Sequence, residues 1–252
     1  MSQQLPSMPL VAHLRELRSR VIRMLLALVI CFTVLWFFAS DLYLYLARPL
    51  TSLLEPIGGA ELIAIGVASP FLVPLKLTLV LAFLLCLPYL LHQFWGFIAP
   101  GMYQNEQKLA IPLLLSSLIL FYCGIAFSYF LVLPLIFGFF TSVIPAGILL
   151  MPDINNHLNF SLKIMFAFGV AFEIPVATYL LIASKAVSRQ TLASKRPYVF
   201  VGCFAIGMMI TPPDVFSQSL LAIPMYLLFE LGLIFSRWWL KDDAHPTEDS
   251  GE

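Results

Sequence analysis

Apolar positions run without alternation over four stretches of roughly 20 residues, the length that crosses a hydrocarbon layer: Val21–Ser40, Leu75–Phe94, Ile111–Leu135 and Phe160–Ala183. Two further stretches, Tyr198–Ile210 and Leu220–Phe235, reach only roughly 20 and 24 Å as helices, against a hydrocarbon core of about 30 Å. The pattern predicts an all-α integral membrane protein of six transmembrane helices, the last two short. Between the first pair, Asp41–Ser69 holds Pro49, Pro56, Gly58 and Gly59, and its part Asp41–Leu54 has the apolar spacing of a short amphipathic helix lying at the membrane surface. Gly138–Asn159 carries Pro145, Gly147, Pro152, Asn155 and Asn156, which are turn and cap chemistry. Both segments are expected to be ordered and to cap one side of the bundle. Residues 1–240 read as a single domain without internal repeat. The tail 241–252 has no apolar periodicity and is expected to be disordered.

Composition agrees with this pattern: 60% of residues are hydrophobic and 11% charged, so hydrocarbon is the natural solvent. The formal net charge is +0, which gives no global field for nucleic acid, and the electrostatic signal lies in placement. Arg15, Arg18, Arg20 and Arg23 precede the first span, and Lys185, Arg189, Lys195 and Arg196 lie between the fourth and fifth. Lys108, Arg237 and Lys241 fall on the same side, while the opposite loops hold Arg48 and the boundary residues Lys76 and Lys163. Positive charge marks the cytoplasmic face, so both chain ends are expected there. A polar, basic N-terminal segment without a small-residue cleavage site predicts that the first span stays in the mature protein. Cys31, Cys86, Cys123 and Cys203 stand singly in apolar runs and are read as buried free thiols.

Catalytic chemistry finds little support. His13, His92, His157 and His245 lie at span ends or outside spans, and no HExxH, GxSxG or phosphate-cradling string is present. No metal or cofactor is expected. An intramembrane protease would need a nucleophile such as Ser161 or Ser219 facing a base, a pairing the sequence does not display. Four acidic positions remain. Glu173 lies inside the fourth span, where a carboxyl group is costly, and Pro175 frees the carbonyl of Ala171 from its helix bond. Such a polar notch serves either a contact with a substrate or partner helix, or a protonated carboxyl bonded within the chain. As the one carboxylate found at depth, Glu173 also admits a proton-coupled small-solute transporter, against which stands the lack of an inverted repeat. Glu16, in HLRELRSR, has the plain reading of an i,i+4 pair with Arg20, and Glu106 that of a solvated loop charge. Asp214 is placed to cap the start of the last span after Pro212 and Pro213 stop the one before.

The strings HLRELRSR, VASPF, FIAPGMYQNEQ, FGVAFEIPV, KRPYV and ITPPDVFSQ, in this order from about Leu10 to Arg237, resemble the TatC family of twin-arginine protein translocases. The resemblance implies a concave, glove-like bundle in a bacterial inner membrane. It implies a receptor that binds twin-arginine signal peptides of folded cargo at the cytoplasmic face, in export driven by the proton-motive force. By the same resemblance, Glu16 and Glu106 hold the arginine pair, and carboxylates suit the planar guanidinium fork. Leu17, Phe97 and Pro100 would border that site. Glu173 matches the family's intramembrane glutamate, and Met208 and Gln218 match its contact region for the single-span TatB and TatA subunits. Other copies of the chain and membrane lipid complete the implied partners. Where family loops often set basic residues beside Glu106, this chain reads QNEQK, which leaves the expected site more acidic.

Overall fold

A computed structural model of the chain describes residues 10–55, 62–98, 104–145, 148, 150–184, 186–212 and 214–239. The elements are α1 (Leu10–Trp36), α2 (Ala39–Leu54), α3 (Ser69–Ile98), α4 (Gln104–Phe127), α5 (Leu133–Ser142), α6 (Ile154–Ala171), α7 (Ile174–Ala183), α8 (Arg189–Ser194), α9 (Arg196–Ile210) and α10 (Val215–Trp239). Among the described residues the only β pairing is an isolated parallel bridge, Ile63 with Asp153. Helices dominate because hydrocarbon offers no partner for an open backbone N–H or C=O. The expected tail 241–252, the turn residues Pro56, Gly58, Gly59 and Gly147, and Lys185 lie outside the described residues.

Among the described residues, five runs are long and apolar enough to cross a membrane: Leu14–Trp36, Ser69–Phe97, Ile111–Ser142, Ile154–Ala183 and Val215–Trp238. A shorter apolar helix, Arg196–Ile210, makes the sixth. Of the two final helices expected to be short, only α9 is, with 15 residues; α10 has 25. The apolar run understates α10 because its first turns hold Ser217, Gln218 and Ser219. A helix tolerates those residues there, and Asp214 starts it by accepting the Ser217 N–H on Oδ1 at 2.7 Å.

Two spans are interrupted at prolines. Between α4 and α5, Ser128–Val132 forms a π turn ahead of Pro134, which has no N–H to return to the preceding turn. Pro175 likewise splits the fourth span into α6 and α7. At that break the Glu173 N–H bonds back to the Val170 carbonyl at 3.0 Å, and the Glu173 carbonyl takes the Ala177 N–H at 2.8 Å.

The chain divides into two compact units. The first holds Met1–Leu118 and Leu133–Leu162. Within it α1 runs antiparallel along α3: Arg20 reaches the Gln93 carbonyl at 3.3 Å, Cys86 Sγ the Ala27 carbonyl at 3.6 Å, and Trp36 meets Phe71 edge-on at 5.7 Å. The amphipathic helix expected over Asp41–Leu54 is α2. Its apolar stripe of Ala39, Tyr43, Leu46, Ala47, Leu50 and Leu54 is buried, and α2 packs against α3 and α5. The segments around residues 62–68 and 150–153 join through the bridge, with Ile63 N–H to Pro152 O at 3.0 Å and Ile154 N–H to Ile63 O at 2.9 Å. Asp153 fastens the joint, accepting from Ile65 N–H and, as a helix cap, from Asn156 N–H, both at 3.2 Å.

The second unit holds Ile119–Val132 and Lys163–Glu252. Phe127 packs between Phe168 and Phe172, its ring 5.4 Å from each. Gly124 lies so close to the Phe168 carbonyl that a side chain there would collide with backbone, the close crossing that small residues permit. Helix α10 packs on α7 and α9. A Cβ at Gly232 would stand 2.9 Å from Thr178 Cβ and 3.0 Å from Pro175 Cα. The four cysteines are free, but only Cys86 and Cys203 are buried; Cys31 is intermediate and Cys123 exposed. Burial was expected of all four from their apolar neighbours, yet a helix bathed in hydrocarbon can turn an apolar thiol outward.

Candidate functional site

Helix α1 begins well before its apolar stretch, so HLRELRSR is a helical extension of the first span and Glu16 and Arg20 lie one turn apart on its surface. Arg20 donates from Nε at 2.9 Å and from Nη2 at 2.5 Å, both to Oε1 of Glu16. The same guanidinium sends Nη1 to the Gln93 carbonyl of α3 at 3.3 Å. Gly96 makes room for it, because a Cβ there would collide with Nη1. The plain reading of Glu16 as an i,i+4 partner of Arg20 therefore describes its geometry. That pairing leaves Oε2 without a hydrogen bond from the described residues, on a side chain 28% exposed. Leu17 is exposed beside it. Phe97, half-exposed, lies near the end of α3.

Glu106 belongs to the first turn of α4 rather than to a loop, and its side chain and all of Pro100 lie outside the described residues. One cluster is thus assembled around Glu16: Leu17 and Arg20 from α1, and Gln93, Gly96 and Phe97 from α3.

The other expected positions fall in the second unit. Glu173 occupies the position before α7, at the break, ten residues short of the span end at Ala183. Met208 is exposed on α9. Gln218 is half-buried, and its Nε2 donates to the Phe204 carbonyl at 2.9 Å, so it joins α10 to α9.

A second carboxylate in the last span escaped the sequence reading. Glu230 on α10 takes a guanidinium fork from Arg196, Nε to Oε1 at 2.7 Å and Nη2 to Oε2 at 2.9 Å, and the Tyr226 hydroxyl adds a bond to Oε1 at 2.7 Å. The signal was present: an acidic residue inside an apolar run, with Tyr226 one turn earlier. The pairing itself needed the fold, because Arg196 is distant in sequence.

Ser161 Oγ stands 3.4 Å from His157 Nε2. Both side chains are buried on one helix face, under the rings of Tyr43 and Phe137, and no substrate carbonyl can reach them. Burial, with the Asp153 charge second, pushes the Tyr43 phenol above its ordinary range, so it stays a donor to the Ile154 carbonyl at 3.3 Å. This group is packing, not catalytic machinery.

Comparison with known proteins gives a consistent result. The family model for Sec-independent protein translocase protein (TatC) matches residues 12–224. A Sec-independent protein translocase protein TatC from Azotobacter chroococcum is 57% identical over 228 residues, 90% of this chain and 89% of that protein. The protein of that name from Escherichia coli strain K12 is 47% identical over 240 residues, 95% of this chain and 92% of its own. A crystal structure of a twin arginine translocase receptor, TatC, superposes with a TM-score of 0.72 at 37% identity, covering 90% of this chain and 98% of that one.

Proposed function

The chain belongs to the TatC family of Sec-independent protein translocase proteins, and from that premise we propose that its α1–α3 end is where the arginine pair of an export signal is read. It is a multi-pass protein of the bacterial inner membrane and a receptor component of the twin-arginine translocase, a transport function. Catalysis by the chain itself forms no part of this proposal.

The observation that carries the reading is the state of Glu16. Its Oε1 is held by Arg20, and its Oε2 takes no hydrogen bond from the described residues, on a partly exposed side chain. Arg20 thereby fixes the carboxylate against α3, and a second guanidinium can approach from the other oxygen. Leu17 and Phe97 supply an apolar margin, and the family resemblance adds Pro100 to it. Glu106, in the first turn of α4, serves as the second carboxylate. On the expected topology this end of α1 faces the cytoplasm, where signal peptides arrive.

Glu173, Met208 and Gln218 belong to a second proposed surface, for the single-span subunits TatB and TatA and for further copies of the chain. Glu173 supports this by its place at a helix break inside the membrane, where irregular backbone and a carboxyl group suit a polar mate from a neighbouring helix.

The test is photo-crosslinking of a twin-arginine signal peptide to the full chain in membranes. Glu16→Gln combined with Glu106→Gln is expected to abolish the crosslink, while a peptide with paired lysines crosslinks weakly even to the unaltered chain. An undiminished crosslink in the double variant refutes the assignment.

A further inference from the structure

Helices α1 and α3 each bring one thiol to the seam where they pack, Cys31 on α1 and Cys86 on α3. Cys86 is buried, and its Sγ donates to the Ala27 carbonyl at 3.6 Å. Ala27 lies one turn before Cys31, so the carbonyl that Cys86 meets is the one that accepts the Cys31 N–H within α1. Every Cα–Cβ bond on a helix tilts toward its N-terminus, which lays the Cys31 side chain over Ala27 and beside Cys86. The two thiols are in hydrogen-bond contact.

Depth and exposure distinguish the pair. Cys31 stands eleven residues beyond Arg20, about 16 Å further along α1 and so inside the hydrocarbon. A charged oxidant does not enter that layer, whereas an apolar one dissolves in it. Cys31 is half-buried and Cys86 buried, which sets a reachable thiol in front of a sheltered one. What the arrangement supplies is proximity: a sulfenic acid formed on the first sulfur finds the second already in contact, and such an acid condenses with a thiol. Cys123 and Cys203 belong to the second unit.

We infer that Cys31 and Cys86 are a modification site, at which an organic hydroperoxide dissolved in the bilayer closes a reversible disulfide that clamps α1 to α3. In the first step the Cys31 sulfur attacks the terminal oxygen of the hydroperoxide. The O–O bond breaks, the sulfur gains a hydroxyl group, and the thiol proton leaves with the other oxygen as an alcohol. In the second step the Cys86 sulfur attacks Cys31, the S–S bond forms, and the hydroxyl departs with the Cys86 proton as water. The hydroperoxide takes two electrons, one from each sulfur, and a thiol reductant returns them by exchange. The clamp joins the two helices that carry the Glu16 cluster, but the inference does not depend on the receptor proposal.

The experiment uses the full chain, reduced, in nanodiscs of saturated phosphatidylcholine treated with cumene hydroperoxide. Remaining thiols are alkylated, and the chain is mapped by peptide mass spectrometry. The expected product is a peptide pair joined through Cys31 and Cys86 that dithiothreitol separates. The melting temperature is expected to rise by roughly 5 °C on oxidation and to return on reduction. Cys31→Ser and Cys86→Ser are each expected to lose both the joined peptide and the shift. Cys123→Ser with Cys203→Ser is expected to keep both.

The peptide map of the unaltered chain decides the matter even where a serine variant folds poorly. Cys31 and Cys86 both alkylated after treatment overturns the assignment. So does either one joined to Cys123, to Cys203 or to a second chain in preference to its neighbour, and so does a sulfinic acid on Cys31 beside an alkylated Cys86. A signal peptide crosslinked to the reduced chain reports on the Glu16 site alone, so the failure of either proposal is read separately.

Discussion

At the scale of single residues, the decisive fact is that one arginine does two tasks. Arg20 holds Glu16 and ties α1 to the Gln93 carbonyl of α3, and it fits only because position 96 is glycine. Arg20→Gln is expected to lower stability by about 1 kcal/mol, read as a lower melting temperature in detergent. Gly96→Ala is expected to reproduce the loss by pushing the guanidinium aside, and the two changes together should cost little more than either alone, since they break one contact. Arg20→Lys keeps the charge but loses the fork, so signal-peptide crosslinking should fall even where the protein folds. For Glu173, replacement by Ala is expected to weaken co-purification with single-span subunits while leaving the crosslink at Glu16 intact; equal co-purification refutes that role. The residue pattern alone made Glu173 stand out, as a carboxyl group inside an apolar span, whereas Glu16 drew notice only through the family resemblance. What each touches was not legible, because Gln93 and Gly96 lie far along the chain from Arg20, and Arg196 likewise from Glu230.

Elements were easier to read than contacts, and their errors have specific causes. Periodicity located α2 to within two residues, since its buried stripe packs on α3 and α5 as an amphipathic face must. Ends were misjudged where a helix runs on through polar residues, as α1 does through Glu16 and α10 through Ser217 and Gln218. The joint at the Ile63 bridge depends on Asp153, which receives two backbone N–H groups. Asp153→Ala is expected to cost about 1 kcal/mol as a lost helix cap. It should also speed limited proteolysis between α2 and α3, because the Ile63 bridge loosens. The crossing of α10 over α7 requires a bare Cα at position 232, where Pro175 backbone lies 3.0 Å from any added Cβ. Gly232→Leu is expected to destabilise by about 1–3 kcal/mol through overpacking, measured by thermal melting.

For the molecule as a whole, membrane thickness is the variable most exposed to test. Helix α9 has 15 residues, roughly 22 Å of helix against a hydrocarbon core of about 30 Å, whereas its neighbour α10 has length to spare. Mismatch of this kind is relieved by thinning the bilayer, so melting temperature is expected to fall as nanodiscs are made from longer acyl chains. A flat response across chain lengths refutes a thinned bilayer at α9. The sequence by itself determined that the chain is a six-helix membrane protein, where its amphipathic helix lies and which family it resembles. These follow from local composition and spacing, because hydrocarbon permits little besides helices and a motif is a property of neighbouring residues. Only the tertiary structure decided that Glu16 is already half-engaged by Arg20 and that Glu230 forks with Arg196. Those facts depend on which helices pack side by side. Helix packing is set by glycines and side-chain shapes distributed over the whole chain, and no local window of sequence contains it.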